Sequence, residues 1–562
     1  MYRQRCVAAM LLSGDAATAA LNEVIDTPPP WLAAEVDPEG RGGRARVLVL
    51  AAKGEAKPRV VDLDAVQPAT KARFASLSCP LAAYDAKSLV RGLLAAGFAL
   101  PPRIACLRVT AQILAGGRAV PETFDAMCQG VLGERAPQPQ KGLDELQATP
   151  GFVSRVLEHQ AVRLRGDELV WVSRLEAAAL PALADMEHRG IALDRERWRL
   201  LLGSAREERE QRRAELSALL DAGGLFGDGA ELDSDATLRE ALARAGHRVK
   251  TLRRAELAAL PAPLGPTLAR FRELSKLIQS YGESFLRNVD TDGRIRATFE
   301  QIGASTGRMA CHSPNLQSVV KDSPYRGCFR AGEGRALITA DYAGCELRII
   351  AELSGDPVFL QVLRDGGDLH ARVAQTVFGV PVSKSENPEL RHRAKAINFG
   401  LAYGMGAGGL ARATGLAPQE ARQFLQRYFR SFPRIGAFLE ETAQTALRRG
   451  FAMTMTGRRL YLEPGDSSDA RARAERVAKN MPIQGTNADV MKIALARLRT
   501  ALAPHDAFVV NTVHDEIVVE CDASKADELA CLVKQEMRAA GAEVLRTIPL
   551  DADTVVGASW AK

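Results

Sequence analysis

With 562 residues the chain exceeds what one hydrophobic core can organise, so roughly two to four domains are expected. Apolar residues at 46% and charged residues at 25% exclude a disordered or fibrous chain, and a net charge of +6 permits a polyanionic partner without requiring one. Nine cysteines with no Cys-x-x-Cys pair argue against a disulfide framework or a zinc site and point to a reducing compartment.

The opening MYRQRCVAAMLLSGDAATAA has the early arginines of an export signal, but its apolar run is short and Asp15 interrupts it. No run of about 20 apolar residues occurs anywhere, so a cytoplasmic protein without a membrane span is expected. Up to about residue 165, β-like runs (RVLVLAA, RVVDLD) alternate with helical stretches, and TPPP and DPEGRGG break the chain. This predicts a small α/β domain. From about 170 to 290 the chain reads as helical. SAREEREQRRAELSALL, from Ser204, is dense in i, i+4 charge pairs and reads as a solvated helix. After the Gly- and Asp-rich DAGGLFGDGAELDSD, HRVKTLRRAEL and RFRELSKLIQSYGESFL predict basic helices able to straddle a phosphate backbone.

From about 290 onward a mixed α/β domain is expected, with ALITADY and AFVVNTVHDEIVVE as strands flanking a helical insertion at about 370–500. Asp341 ends the first strand; His514, Asp515 and Glu516 sit between two β-branched runs, the pattern of a hairpin tip. A polar hairpin tip is ordinary by itself. Two apolar strands that each end in an aspartate would, if adjacent in one sheet, present paired carboxylates, the oxygen ligands that hard divalent ions take.

Within the insertion, Arg391, Lys395, Phe399 and Tyr403 recur every fourth residue, roughly 400° of helix, and form one slowly winding stripe. One reading is a core edge with solvated cations. The other is a nucleotide site, with cations for a triphosphate at one end and a ring for the base further along.

DYAGCELR, RHRAKAINFGLAYG, NMPIQGTNADVMK and VHDEIVVE, in that order, resemble the signatures of the DNA polymerase I family (family A). STGRMACHSPNLQS before them, and RYFRSFPRI and TGRRLYL between them, extend the resemblance nearly continuously over about 300–562. It implies an α/β and α+β multidomain chain: a right hand of palm, fingers and thumb behind an RNase H-like 3′-5′ exonuclease domain. The implied boundaries are 1–165 for the exonuclease-like domain, 166–300 thumb, 301–370 first palm part, 371–480 fingers and 481–562 second palm part. No counterpart of the family's 5′ nuclease domain is expected.

The implied activity is that of a DNA-directed DNA polymerase, adding dNTPs to a primer 3′ end on template DNA in replication or repair. The implied cofactor is Mg²⁺, two ions, with Mn²⁺ as a substitute, and the chain is expected to act as a monomer. Asp341 and Asp515 would hold the metals with the backbone carbonyl of Tyr342, and Glu516 would complete the catalytic set. Arg391, Lys395 and His370 would grip the triphosphate. Phe399 would lie against sugar and base, and Tyr403 by the template position. Glu346, held by Tyr403, would block a ribose 2′-hydroxyl. Arg308, Asn315, Gln317, Arg476, Asn480, Gln484 and His514 would contact DNA. Among these, Arg308, Gln484 and His514 would face the minor-groove acceptors that every base pair presents. Ala343 and Gly344 depart from the Ser-Gln often found after the Asp-Tyr, which leaves fidelity open.

The front domain resembles an exonuclease without its ligands. In VIDTP, Asp26 fits the first motif but Pro28 stands where a glutamate is needed. In AAYDAKSLVRGLLAAGF, Leu89 would replace the second aspartate, and no tyrosine occurs between Tyr84 and Tyr281. An inactive domain that braces the polymerase or the DNA is expected, with Asp26 and Asp167 as candidates if activity survives. The rival readings are surviving proofreading, a single-subunit RNA polymerase and a non-catalytic DNA-binding scaffold; reverse transcription is a conceivable side activity.

Overall fold

A computed structural model describes residues 11–560 except 37–44, 54, 56, 139–142, 221–231, 233, 258, 322, 403, 404, 464 and 466. The chain forms two compact units: residues 1–189, 298–312 and 337–556, and residues 190–297, 313–336 and 557–562. Among the described residues no helix is long and apolar enough to cross a membrane.

The front of the first unit is a six-stranded sheet of β1 (Leu11–Leu12), β2 (Leu32–Val36), β3 (Val47–Ala52), β4 (Arg59–Asp62), β5 (Leu81–Ala83) and β6 (Ile104–Cys106), in the order β1-β4-β3-β2-β5-β6. The β2–β3 and β3–β4 pairs are antiparallel, whereas β1–β4, β2–β5 and β5–β6 are parallel. The continuous apolar run Leu48–Val49–Leu50 fits a strand covered on both faces. Leu48 and Leu50 belong to a core with Leu21, Phe74 and Leu89, whereas Ala33 and Ala82 face Met127, Val153 and Val156.

The two aspartates named as exonuclease candidates do not come together at a sheet. Asp26 ends the helix Gly14–Asp26 and forms a surface ion pair with Arg73 at 2.6 Å. Ala17, Leu21, Val24 and Ile25 recur at helical spacing and are buried, which makes the segment a helix. Asp167 follows the end of the helix Leu143–Gly166 and lies 4.0 Å from Arg459.

The second sheet of this unit contains β7 (Arg335–Tyr342), β8 (Phe508–Val513), β9 (Glu516–Asp522) and β10 (Ala552–Gly557), ordered β8-β9-β7-β10. The same unit contains α1 (Cys345–Ser354), α2 (Leu369–Phe378), α3 (Pro388–Ala402), α4 (Pro418–Ser431) and α5 (Thr486–Leu502). The front domain is tied to the rest of this unit. Tyr461 N–H donates to the Gly116 carbonyl at 2.8 Å, and the Arg118 guanidinium lies 3.8 Å from the Tyr461 ring centroid. Lys87 joins Glu187 and the Phe299 carbonyl, and Arg499 donates to the Leu100 carbonyl.

The second unit is mainly helical. Helices Arg195–Leu220 and Leu264–Tyr281 share a core of Leu216, Leu238, Leu242, Leu268 and Phe271. Buried Trp198 stacks on Phe285 and meets Tyr281, Tyr325 and Phe329 edge-on. The expected helix at HRVKTLRRAEL shrinks to Arg254–Leu257. Gly246 turns the chain at φ 87°, and the Glu256 carboxylate accepts from Thr251 N–H, a local alternative to helix.

Candidate active site

β7 and the β8–β9 hairpin bring the two predicted aspartates together. Val513 and Glu516 are cross-strand partners, leaving His514–Asp515 as a two-residue tip with His514 at φ 54°. Tyr342 N–H, one residue after Asp341, donates to the Asp515 carbonyl at 3.1 Å. Burial raises the Asp515 carboxyl above its usual range and the Asp341 charge adds to this; the Asn487 amide, Arg308 and His514 oppose them. Asn487 Nδ2 donates to Asp515 Oδ1 at 3.3 Å. Glu516 is buried beside this tip.

Two repelling carboxylates are the electrostatic condition that a divalent cation relieves. The Tyr342 carbonyl accepts from Gly344 N–H at 2.9 Å and keeps a second lone pair. The donor set is all oxygen and fits a hard ion. Among the described residues no group of three or more His, Cys, Asp or Glu side chains is poised for a metal, so such an ion would need further ligands from substrate and water.

Glu346, in the first turn of α1, is buried and accepts a hydrogen bond from the Arg308 guanidinium. Its expected partner Tyr403 lies outside the described residues, as does the side chain of Phe399. Arg308 therefore serves Glu346 and also lies close enough to Asp515 to lower its pKa.

α3 carries Arg391 and Lys395, and α2 brings His370 near both. Asp368 caps α2 by accepting from Ala371 N–H and pairs with Arg391 at 2.7 Å. A triphosphate would have to share or displace that carboxylate. Burial pushes His370 down to about 4, with Asp368 opposing and Arg391 and Lys395 reinforcing the fall. At neutral pH it is an uncharged donor, not a third cation.

Gln484 is buried in the π-helical turn Met481–Gly485, a local form common at functional sites. Arg476 is exposed on the helix Ser468–Asn480, and Asn480 Oδ1 is buried without a hydrogen-bond partner in the structure. Exposed His514 occupies the tip, while Asn315 and Gln317 belong to the second unit, in the segment after Ser313.

Sequence reasoning missed a buried ionic network. Glu176 meets Lys492 Nζ at 2.6 Å and the Arg458 guanidinium; Arg458 also forks onto Asp489, which accepts from Thr454 and Thr456. Lys492 and Arg458 outweigh the burial that would raise Glu176, so it stays ionised. Lys492 also donates to the Gly307 carbonyl at 2.8 Å, next to Arg308. Gly307 has φ 89°, and a Cβ there would lie 2.8 Å from Arg458 Nε, so only glycine fits this turn. TGRRLYL and NMPIQGTNADVMK contain Arg458, Asp489 and Lys492, but only folding reveals their common partner Glu176.

At the front sheet, Leu89 is a core residue, and the carboxylates that sense one another are Glu35 on β2 and Asp85 after β5. Burial raises Glu35 to about 7, with Asp85 adding to the shift. Asp85 caps the helix Ala86–Ala95 through Ser88, and no third such side chain joins them among the described residues.

A family model described as DNA polymerase family A matches residues 206–562. "DNA polymerase I, thermostable" of Thermus filiformis is 36% identical over 410 residues, covering 70% of this chain and 48% of that protein. DNA polymerase I of Pseudomonas aeruginosa is 38% identical over 315 residues, 54% of this chain and 34% of that one. The chain thus spans about half or less of these relatives' length. A solved structure described as the POL domain of Pol1 from M. smegmatis, in complex with DNA primer-template and dNTP, aligns with a TM-score of 0.85 at 28% identity. That alignment covers 98% of this chain and 99% of that one.

Proposed function

The chain belongs to DNA polymerase family A, and on that footing we propose that it is a template-directed DNA polymerase that extends a primer 3′ end with dNTPs and does not proofread. The observation that carries the polymerase reading is the convergence of Asp341 and Asp515 at one sheet edge, with Asp515 pushed upward by burial and by its neighbour. A fold shared over almost the whole chain with a polymerase solved with primer-template DNA and dNTP supports the substrates.

In this reading Asp341, Asp515 and the Tyr342 carbonyl would hold two divalent ions, Mg²⁺ or Mn²⁺. Bound there, they would supply the positive charge that activates a primer 3′-hydroxyl and stabilises a leaving pyrophosphate. The remaining work belongs to the chain. Arg391 and Lys395 orient the triphosphate as cations, and His370 adds a neutral N–H. Phe399 and Tyr403 border the sugar and base, while Glu516 supports the metal corner. Arg308, Gln484 and His514 test the terminal pair from the minor groove, and Arg476, Asn480, Asn315 and Gln317 hold the strands. Residues 166–300 act as thumb, 301–370 and 481–562 as palm, and 371–480 as fingers. The protein works as a monomer in the cytoplasm.

The front domain, residues 1–165, is read as an RNase H-like exonuclease fold kept as a brace. Support comes from its strand order, from Glu35 and Asp85 having no third metal-ligating side chain with them among the described residues, and from its ties through Gly116, Lys87 and Leu100. A 5′-labelled primer on a longer template with Mg²⁺ tests both halves. Extension with dNTPs and no shortening without them is expected; shortening abolished by Glu35→Gln or Asp85→Asn would mean that proofreading survives. Binding without extension would support a scaffold.

Glu346 is assigned as the gate against ribonucleotides. Glu346→Ala is expected to raise the relative use of rNTPs roughly tenfold or more, since removing a buried bulk relaxes discrimination by about that much. It also strips Arg308 of a carboxylate partner, so dNTP kinetics should worsen. An unchanged rNTP/dNTP ratio in competition assays would remove the gate. A preference for rNTPs already in the unaltered protein would favour an RNA polymerase.

A further inference from the structure

We infer that Asn398 and Tyr428 are positioning residues that lock His370 in one tautomer, Nδ1 accepting and Nε2 carrying the proton, toward the incoming triphosphate. The inference rests on the triphosphate role assigned above to His370, and it goes beyond that role by naming what sets the histidine's chemistry.

The geometry forms a directed chain across three helices. The Tyr428 hydroxyl on α4 lies 3.3 Å from Asn398 Oδ1, and Asn398 Nδ2 on α3 lies 3.0 Å from His370 Nδ1 on α2. An amide NH₂ can only donate, so the nitrogen facing it must be the acceptor. In the structure the amide turns its oxygen to the Tyr428 hydroxyl and its NH₂ to the ring. The neutral ring then carries its proton on Nε2.

Burial makes the arrangement rigid. Tyr428 and Asn398 are each 1% exposed, whereas His370 is partly exposed. Tyr428 packs against Phe429 and Phe432, so its hydroxyl has little freedom to leave the amide. The charged groups facing His370 are Asp368 on its own helix and Arg391 and Lys395 on α3. The two cations oppose a third positive charge, and an Asn donor on Nδ1 removes the site where one would form. The result is a hydrogen-bond donor whose state does not change through neutral pH. A carboxylate in place of Asn398 would instead stabilise imidazolium and make the grip titrate.

The test replaces Asn398 by aspartate in the full chain. Its carboxylate still accepts from Tyr428 but now accepts also from His370 Nδ1–H. In the unaltered protein KM for dNTP should show no His370 titration between pH 6 and 8. In Asn398→Asp a titration should appear in that window, with KM lower at pH 6, where imidazolium holds phosphate, and rising by about tenfold toward pH 8 as Nε2 loses its proton. Tyr428→Phe should raise KM for dNTP by roughly threefold with little change in kcat, as loss of one neutral hydrogen bond acting at second hand would.

A second measurement needs no catalysis. ¹⁵N spectra of the histidine side chains, with the His370 signal identified by its loss in His370→Gln, report the tautomer directly. Nε2–H in the unaltered protein and a switch in Asn398→Asp are expected. Nδ1–H in the unaltered protein, or identical pH profiles for both proteins, would overturn the inference. If the unaltered protein fails to extend a primer while its His370 is Nε2–H, the polymerase reading falls and the tautomer assignment stands.

Discussion

Asp515→Asn is expected to cut primer extension on the order of 10³-fold or more while leaving primer-template binding within a few-fold, and Asp341→Asn to behave alike. Each change removes one unit of negative charge from a two-metal site, whose stabilisation of the transition state amounts to several kcal/mol at about 1.4 kcal/mol per tenfold. The substitution should cost no stability. Asp515 already stands above its usual pKa because of burial and the nearby Asp341, so its ionised form is strained in the absence of metal. An asparagine relieves that repulsion, and its carbonyl can still accept from Asn487. Single-turnover extension, a binding titration with labelled duplex and a thermal melt together give the result. Normal turnover in either variant would sink the metal assignment, and a large loss of stability would show that the corner is structural.

Lys492→Met is expected to destabilise the first unit by roughly 3–5 kcal/mol, the cost of leaving a buried charge without its partner. Glu176 and Asp489 would then share the single cation Arg458 in a pocket where all four side chains are at most 4% exposed. Glu176→Gln in the same background removes the excess charge, and the double variant should recover most of the loss. The coupling between the two sites should exceed about 2 kcal/mol in a double-mutant cycle from urea midpoints. The change should also reach chemistry. Lys492 holds the Gly307 carbonyl, one residue from the Arg308 that is proposed to test the primer-terminal pair. Extension from a mismatched terminus should therefore rise relative to extension from a matched one. Additive effects of the two substitutions would mean that the network is a set of independent contacts.

Much of the site was written locally. A β-branched run ending in Asp341, and two more meeting at His514–Asp515, give strands and a hairpin tip whose periodicity depends only on near neighbours. The stripe of Arg391 and Lys395 is likewise a property of helical spacing, and α3 spans it. Membership of the polymerase family follows from ordered motifs that the chain carries in its own text.

Pairing across the fold was decided by tertiary structure. Asp26 matched the first exonuclease motif by its local text, but burial of Ala17, Leu21, Val24 and Ile25 against the sheet makes that segment a helix and leaves Asp26 at its exposed end. Glu35 lies in a run with no recognisable motif, and Asp85, whose charge it senses, sits within AAYDAKSLVRGLLAAGF at a position the motif reading passed over. Glu346 finds Arg308, Arg391 finds Asp368, and His370 finds Asn398, each through elements that meet only after folding. Spacing fixes which face of an element a residue occupies. The charge and burial that set its chemistry come from whatever packs on that face, and for Glu176 those partners lie about 300 residues away in the sequence.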